Sequence, residues 1–113
     1  MKSYTKGLFS EWYVRQFLRL HGFEIIKNRH ITGRHTGRAE IDIIARRGNL
    51  IIFCEVKNRK DAQTGLDAIT WKQNVRLRRA AETYMRRTRW TGDVRFDCLV
   101  VSGWRIKWFK GVI

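Results

Sequence analysis

The sequence contains no proline, no internal repeat and no low-complexity tract, so nothing in it reads as a linker between folding units. Acidic residues are scarce: ten Asp and Glu stand against twenty-four Lys and Arg. Cysteine is nearly absent, with Cys54 and Cys98 alone. Both lie inside apolar runs, Ile51-Ile52-Phe53-Cys54 and Phe96-Asp97-Cys98-Leu99-Val100-Val101, where buried reduced thiols are expected rather than a disulfide. No apolar run is long enough to span a bilayer. Lys2 and Lys6 are followed by no apolar segment of the kind a signal peptide needs, so the expected setting is the cytoplasm. The basic residues are not gathered on one amphipathic helix, which makes an acidic membrane a poor partner.

What is present is enough for one folded unit. A chain of 113 residues suits a single domain spanning residues 1–113, and a hydrophobic content of 43% with 12% aromatics supplies a core. The formal net charge is +14. Such an excess repels itself in a compact domain unless a polyanion is nearby. Nucleic acid is the expected partner, because every Lys or Arg that meets a phosphate releases a condensed counterion.

Residues 5–21 read as a helix whose apolar face holds Leu8, Phe9, Trp12, Phe17, Leu18 and Leu20, with Gly22 as its stop. A short strand follows over residues 23–28, then an exposed loop from Arg29 to Arg38. Residues 40–46 and 50–57 are rich in β-branched side chains and flank Gly48-Asn49, which suits a two-residue hairpin turn. The second of these strands is apolar on both faces, as a central strand covered by helices would be. A second loop is expected from Asn58 to about Asp67. Thr70-Trp71-Lys72-Gln73 has the form of a capping box, and a helix should run from it to about Arg87, burying Leu77, Ala80, Ala81, Tyr84 and Met85. Strands over residues 94–101 and 104–108 complete the order αβββαββ, a mixed α/β sheet between helices.

The hairpin carries the chemistry. With Gly48 and Asn49 as turn residues, Arg47 faces Leu50, Asp42 lies opposite Glu55, and Glu40 lies opposite Lys57. Directly opposed Cβ atoms are roughly 4.5–5.5 Å apart. Two facing carboxylates on an apolar hairpin repel each other, and a divalent cation between them removes that cost. Oxygen ligands at such spacing suit Mg²⁺, or Mn²⁺, with water and a substrate phosphate filling the remaining positions. Lys57 projects beside Glu55, where its ammonium can orient the attacking water and stabilise charge on phosphoryl oxygens. On spacing alone, Lys57 serves equally well as the counter-ion of Glu40 or Glu55.

Ala39-Glu40-Ile41-Asp42 followed by Glu55-Val56-Lys57 resembles the Asp…Glu-x-Lys signature of the PD-(D/E)xK superfamily, the restriction-endonuclease-like nucleases. Across nearly the whole chain the resemblance narrows to the small bacterial YraN-like family: Gly7-x-x-Ser10-Glu11, Asn28, Glu40-Ile41-Asp42-Ile43-Ile44-Ala45, Glu55-Val56-Lys57-x-Arg59, Gly65, Lys72-Gln73, Ala80-Ala81-x-x-Tyr84 and Arg95-Phe96-Asp97. It implies a restriction-endonuclease-like αβββαβ core with a central mixed sheet flanked by helices, and Mg²⁺-dependent phosphodiester hydrolysis. It further implies that Asp42 and Glu55 are metal ligands, that Lys57 is the catalytic lysine, and that Glu11 completes the acidic cluster. Lys72 and Gln73 would lie near the scissile phosphate at a helix N-terminus.

Glu40 reads as an outer carboxylate of the site or as the partner of Lys57. Arg34 and Arg38, in a loop with His30 and His35, are candidate phosphate contacts, as are Arg59 and Arg76; no further Cys or His is near enough for a zinc site. Trp104 and Trp108 share a strand face with Ile106 and read as core, leaving Trp71 and Trp90 as candidates for base stacking. Asp97 should pair with a nearby arginine. The expected activity is a metal-dependent nuclease reading shape and backbone, with structured or single-stranded DNA preferred over RNA as substrate. A homodimer would match the two-fold symmetry of duplex DNA. The alternative is a non-catalytic, basic nucleic-acid-binding protein.

Overall fold

A computed structural model describes residues 3–32 and 39–113. Its elements are α1 (Ser3–Leu20), β1 (Glu24–Thr32), β2 (Ala39–Arg47), β3 (Leu50–Asn58), α2 (Ala62–Asp67), α3 (Trp71–Thr88), β4 (Asp93–Ser102) and β5 (Arg105–Phe109). The five strands form one sheet in the order β1-β2-β3-β4-β5, antiparallel throughout except for the parallel β3–β4 pair. The parallel pair needs a crossover, and α2 and α3 supply it. The architecture is α/β, a mixed sheet flanked by helices, compatible with a restriction-endonuclease-like core. No helix among the described residues is long and apolar enough to cross a membrane.

Two packed layers hold the sheet. On the α1 face, Val14 and Leu18 meet Ile43, Ile52, Cys54, Leu99 and Val101; on the other face, Leu77, Ala80, Ala81 and Tyr84 of α3 meet Ile44, Ile51, Phe53 and Val100. Strand β3 thus feeds both layers, as its doubly apolar sequence requires. Each fully buried Ile or Phe contributes about 1.5–3 kcal/mol. Both cysteines are free and buried, and burial pushes both thiols upward, Cys98 to about 12.

The helix ends follow their local chemistry. Gly22 (φ 84°) closes α1: its N–H donates to the Arg19 carbonyl, the Phe23 N–H reaches back to Leu18, and Phe23 packs in the same cluster as Leu18. This is a Schellman closure, which needs a left-handed residue. Thr70 and Gln73 form the expected capping box at the start of α3. Gly48 (φ 59°) opens the β2–β3 turn, which fixes the register Arg47↔Leu50 through Ile43↔Cys54.

Four expectations are corrected. The loop expected from Arg29 begins instead as strand, because β1 stays paired with β2 through His30↔Ile41, Ile31↔Glu40 and Thr32↔Ala39. Within the loop expected over Asn58 to Asp67, Asp61 caps the short helix α2 by accepting the Thr64 N–H. Trp104 is not core: the Gly103–Trp104 turn carries it off the strand and leaves it 78% exposed. Leu20, counted in the apolar face of α1, is exposed at the helix end. Asp97 does pair with arginine. It is fully buried, takes two hydrogen bonds from Arg95 (2.8 and 2.9 Å), and accepts from Trp108 Nε1 and the Gly111 N–H as well.

Candidate active site

The β2–β3 ladder ends one pair before the expected Asp42–Glu55 position. Its last pair is Ile43↔Cys54, and beyond it the Val56 N–H is taken by a side chain, Asp42 Oδ2, at 2.8 Å. The side-chain alternation of β2 breaks at the same place, since Ile41 and Ile44 pack in the α3 layer while Ile43 and Ala45 pack in the α1 layer. The strands therefore fork at Asp42. Glu55, on the β3 side of the fork, is held by β4 through Glu55↔Cys98.

Four carboxylates influence one another here. Burial, then the charge of Glu55, pushes the Asp42 carboxyl up to about 8, with Glu11 and Glu40 adding to the rise. The Val56 N–H opposes it by bonding the ionised form. Glu55 is raised as well, chiefly by burial, while Lys57 works against the shift. Lys57 Nζ lies 3.2 Å from Glu55 Oε1, with both side chains largely enclosed. Asp42, Glu55, Lys57 and Glu11 are thus brought together, and Glu40 lies near enough to add its field.

Glu11 is already engaged. Arg29 donates to both its oxygens, Nε to Oε1 at 2.8 Å and Nη2 to Oε2 at 3.2 Å. Arg29 stands at φ 54° within β1, a left-handed conformation costing about 1–2 kcal/mol for a residue with a Cβ, and this turn of the backbone accompanies the bidentate pair. The sequence signals no such role for Arg29, which reads as the start of an exposed loop.

The remaining expected contacts divide. Arg59 stands two residues after Lys57; its guanidinium donates to the Asn58 carbonyl at 2.8 Å, and its backbone N–H donates to the Val101 carbonyl. Gln73 spends its side-chain oxygen on the Thr70 N–H, so its role is the helix cap. Lys72 and Arg76 are exposed on α3. Arg34, Arg38 and His35 lie outside the described residues.

Among the described residues, no three His, Cys, Asp or Glu side chains close on one point as a ready metal cage. A hard cation such as Mg²⁺ does not require one, because it binds through one or two carboxylates and keeps several waters. Asp42 and Glu55 fit that demand. Each meets one neighbour through a single oxygen, Oδ2 of Asp42 with the Val56 N–H and Oε1 of Glu55 with Lys57 Nζ, and a carboxylate has two.

A family model described as Uncharacterised protein family UPF0102 matches residues 10–101. The chain belongs to that family. UPF0102 is the YraN-like family that the sequence pattern resembles. A UPF0102 protein of Mesorhizobium japonicum is 37% identical over 106 residues, covering 92% of this chain and 82% of that protein. One from Paramagnetospirillum magneticum is 35% identical over 103 residues, 89% and 80% of the two chains. One from Cytophaga hutchinsonii is 35% identical over 106 residues, 91% and 89%. Glu11, Asp42, Glu55 and Lys57 all fall within the UPF0102 span, whereas Lys6 and Trp104 fall outside it.

Proposed function

We propose that the chain is a metal-dependent nuclease that hydrolyses phosphodiester bonds in nucleic acid, with structured or single-stranded DNA as its preferred substrate. The observation that carries this reading is the fork at Asp42. It leaves an enclosed Asp42 carboxylate in the field of Glu55, itself paired with Lys57, in a protein whose net charge is +14. Enclosing carboxylates together is costly; Arg29 offsets Glu11 and Lys57 offsets Glu55, and a cation beside Asp42 would offset the remainder.

Asp42 and Glu55 would hold Mg²⁺ or Mn²⁺, with Glu11 beside them. The bound cation would supply Lewis acidity toward a phosphoryl oxygen and a water of lowered pKa. Lys57 stands where its ammonium can donate to a non-bridging oxygen and orient the attacking water. The Val56 N–H fixes the Asp42 carboxylate in one orientation, and Arg29 fixes Glu11. Arg59 adds positive charge next to Lys57.

The strong basic charge also favours a second reading, a protein that binds nucleic acid without cutting it. The deciding experiment incubates wild type, Asp42→Ala and Lys57→Ala with labelled single-stranded, duplex and branched DNA and with RNA, in Mg²⁺, Mn²⁺ or EDTA. The nuclease reading expects metal-dependent cleavage by wild type alone, while all three proteins still bind in EDTA. If no substrate is cut and all three proteins shift it equally in EDTA, the binding reading replaces the nuclease.

A further inference from the structure

Cations continue past Lys57 along two clefts that share Lys6, Asn58 and Arg59, and exposed rings cluster around Phe9 of the larger one. Beside Lys57 is a cleft of about 270 Å³ whose lining includes Lys6, Asn58 and Arg59. The same three residues line a larger cleft of about 700 Å³, which adds Phe9, Lys60 and Gly103. Among the described residues no carboxylate lines either cleft. The floor is fixed. Asn58 Nδ2 donates to Ser10 Oγ at 2.6 Å, and Ser10 Oγ donates to the Lys6 carbonyl at 2.8 Å, tying the end of β3 to the start of α1.

Phe9, which lines the larger cleft, belongs to an aromatic cluster, and Trp104 follows Gly103 of the same lining. Phe9 stacks on Tyr13 with centroids 5.7 Å apart, and Trp104 meets both rings edge-on at 6.1 Å. The Tyr13 hydroxyl donates to the Trp104 carbonyl at 2.7 Å. These contacts hold the Trp104 indole in place, yet it remains 78% exposed, and Trp12, 6.2 Å from Phe9, is 50% exposed. Positioned indoles open to solvent beside a carboxylate-free basic groove match what a single strand presents: a chain of phosphates with unpaired base faces along one side. A duplex keeps those faces stacked on one another.

The geometry points to a track for single-stranded nucleic acid, with phosphates following Lys60, Arg59 and Lys6 toward Lys57 and bases stacking on Trp104 and Trp12. The track rests on the nuclease reading for the strand's destination and narrows that reading to a single strand or the single-stranded arm of a branched molecule.

Fluorescence anisotropy in EDTA tests it, with labelled oligo-dT and oligo-U of about 15 nucleotides, the upper range for a single-strand groove, and a duplex of equal length. Both single strands should bind more tightly than the duplex. Trp104→Ala should weaken single-strand binding about tenfold without changing duplex binding, and Trp104→Phe should restore most of the loss. Lys60→Ala should lower the salt slope of single-strand binding by about one. The track is overturned if Trp104→Ala leaves single-strand affinity unchanged, if the duplex binds more tightly, or if Trp71→Ala on α3 produces the loss instead. Cleavage assays keep the two readings separable. Intact cleavage with an indifferent Trp104 sinks the track alone, and absent cleavage with the expected Trp104 pattern sinks the nuclease alone.

Discussion

Asp42→Asn replaces a carboxylate with an amide of the same shape, and the amide oxygen can still accept the Val56 N–H. In metal-free protein the substitution should raise stability at neutral pH. The Asp42 carboxyl sits at about 8 in the fold against an ordinary 3.8, so between those values the folded state holds a proton that the unfolded state has lost. Stability contributed through Asp42 is complete below pH 3.8 and is lost as pH rises toward 8. At 1.36 kcal/mol per unit, the ceiling at pH 7 is roughly 4 kcal/mol, and water reaching the fork should reduce it to about 2 kcal/mol. Urea unfolding of both proteins in EDTA from pH 5 to pH 8 measures this. Taking the difference between them cancels the pH dependence of charges remote from the site and leaves that of Asp42 with the carboxylates it acts on. The variant should gain on wild type steadily as pH rises, and Mg²⁺ should stabilise wild type alone. A variant less stable than wild type at pH 8, or a difference independent of pH, would refute the account of Asp42 as an uncompensated carboxylate.

Asp97→Asn removes the charge that Arg95, Trp108 and Gly111 converge on and should cost roughly 3 kcal/mol, read as a lower urea midpoint; a loss under 1 kcal/mol would show that those donors find water instead. At Gly65 an added Cβ would overlap the Val100 side chain. Gly65→Ala should therefore lower the melting temperature by an amount equivalent to about 1–3 kcal/mol, and by less in a Val100→Ala background. Thr70→Ala breaks the capping box of α3 and should cost about 1 kcal/mol, whereas Thr70→Ser should be nearly neutral in the same thermal scan.

The sequence was most legible where local chemistry decides structure. Gly22, the Gly48-Asn49 turn and the Thr70–Gln73 box each name their own geometry, and the structure places all three as read. The apolar periodicity of α3 and the doubly apolar run of β3 predicted which faces are buried, since burial of those side chains drives the packing. Less legible were features set by partners distant in sequence. His30 and Ile31 look like loop residues until β2 pairs with them. Asp42 takes a backbone N–H fourteen positions away instead of standing opposite Glu55. Trp104 alternates in register with Ile106 and Trp108, yet the turn at Gly103 overrides the alternation. Arg29 gave no signal as the partner of Glu11, because that pair depends on how β1 crosses α1.

The fork also has a spectroscopic meaning. An amide bonded to a neighbouring strand's carbonyl feels side-chain ionisation only at a distance, and its exchange with solvent reports chiefly how often the sheet opens. The Val56 amide proton rests instead on Asp42 Oδ2. Its chemical shift and its exchange rate should follow the charge on that one carboxylate, whether a proton, a cation or the asparagine substitution changes it. A single backbone resonance thus titrates the centre of the site without substrate or turnover.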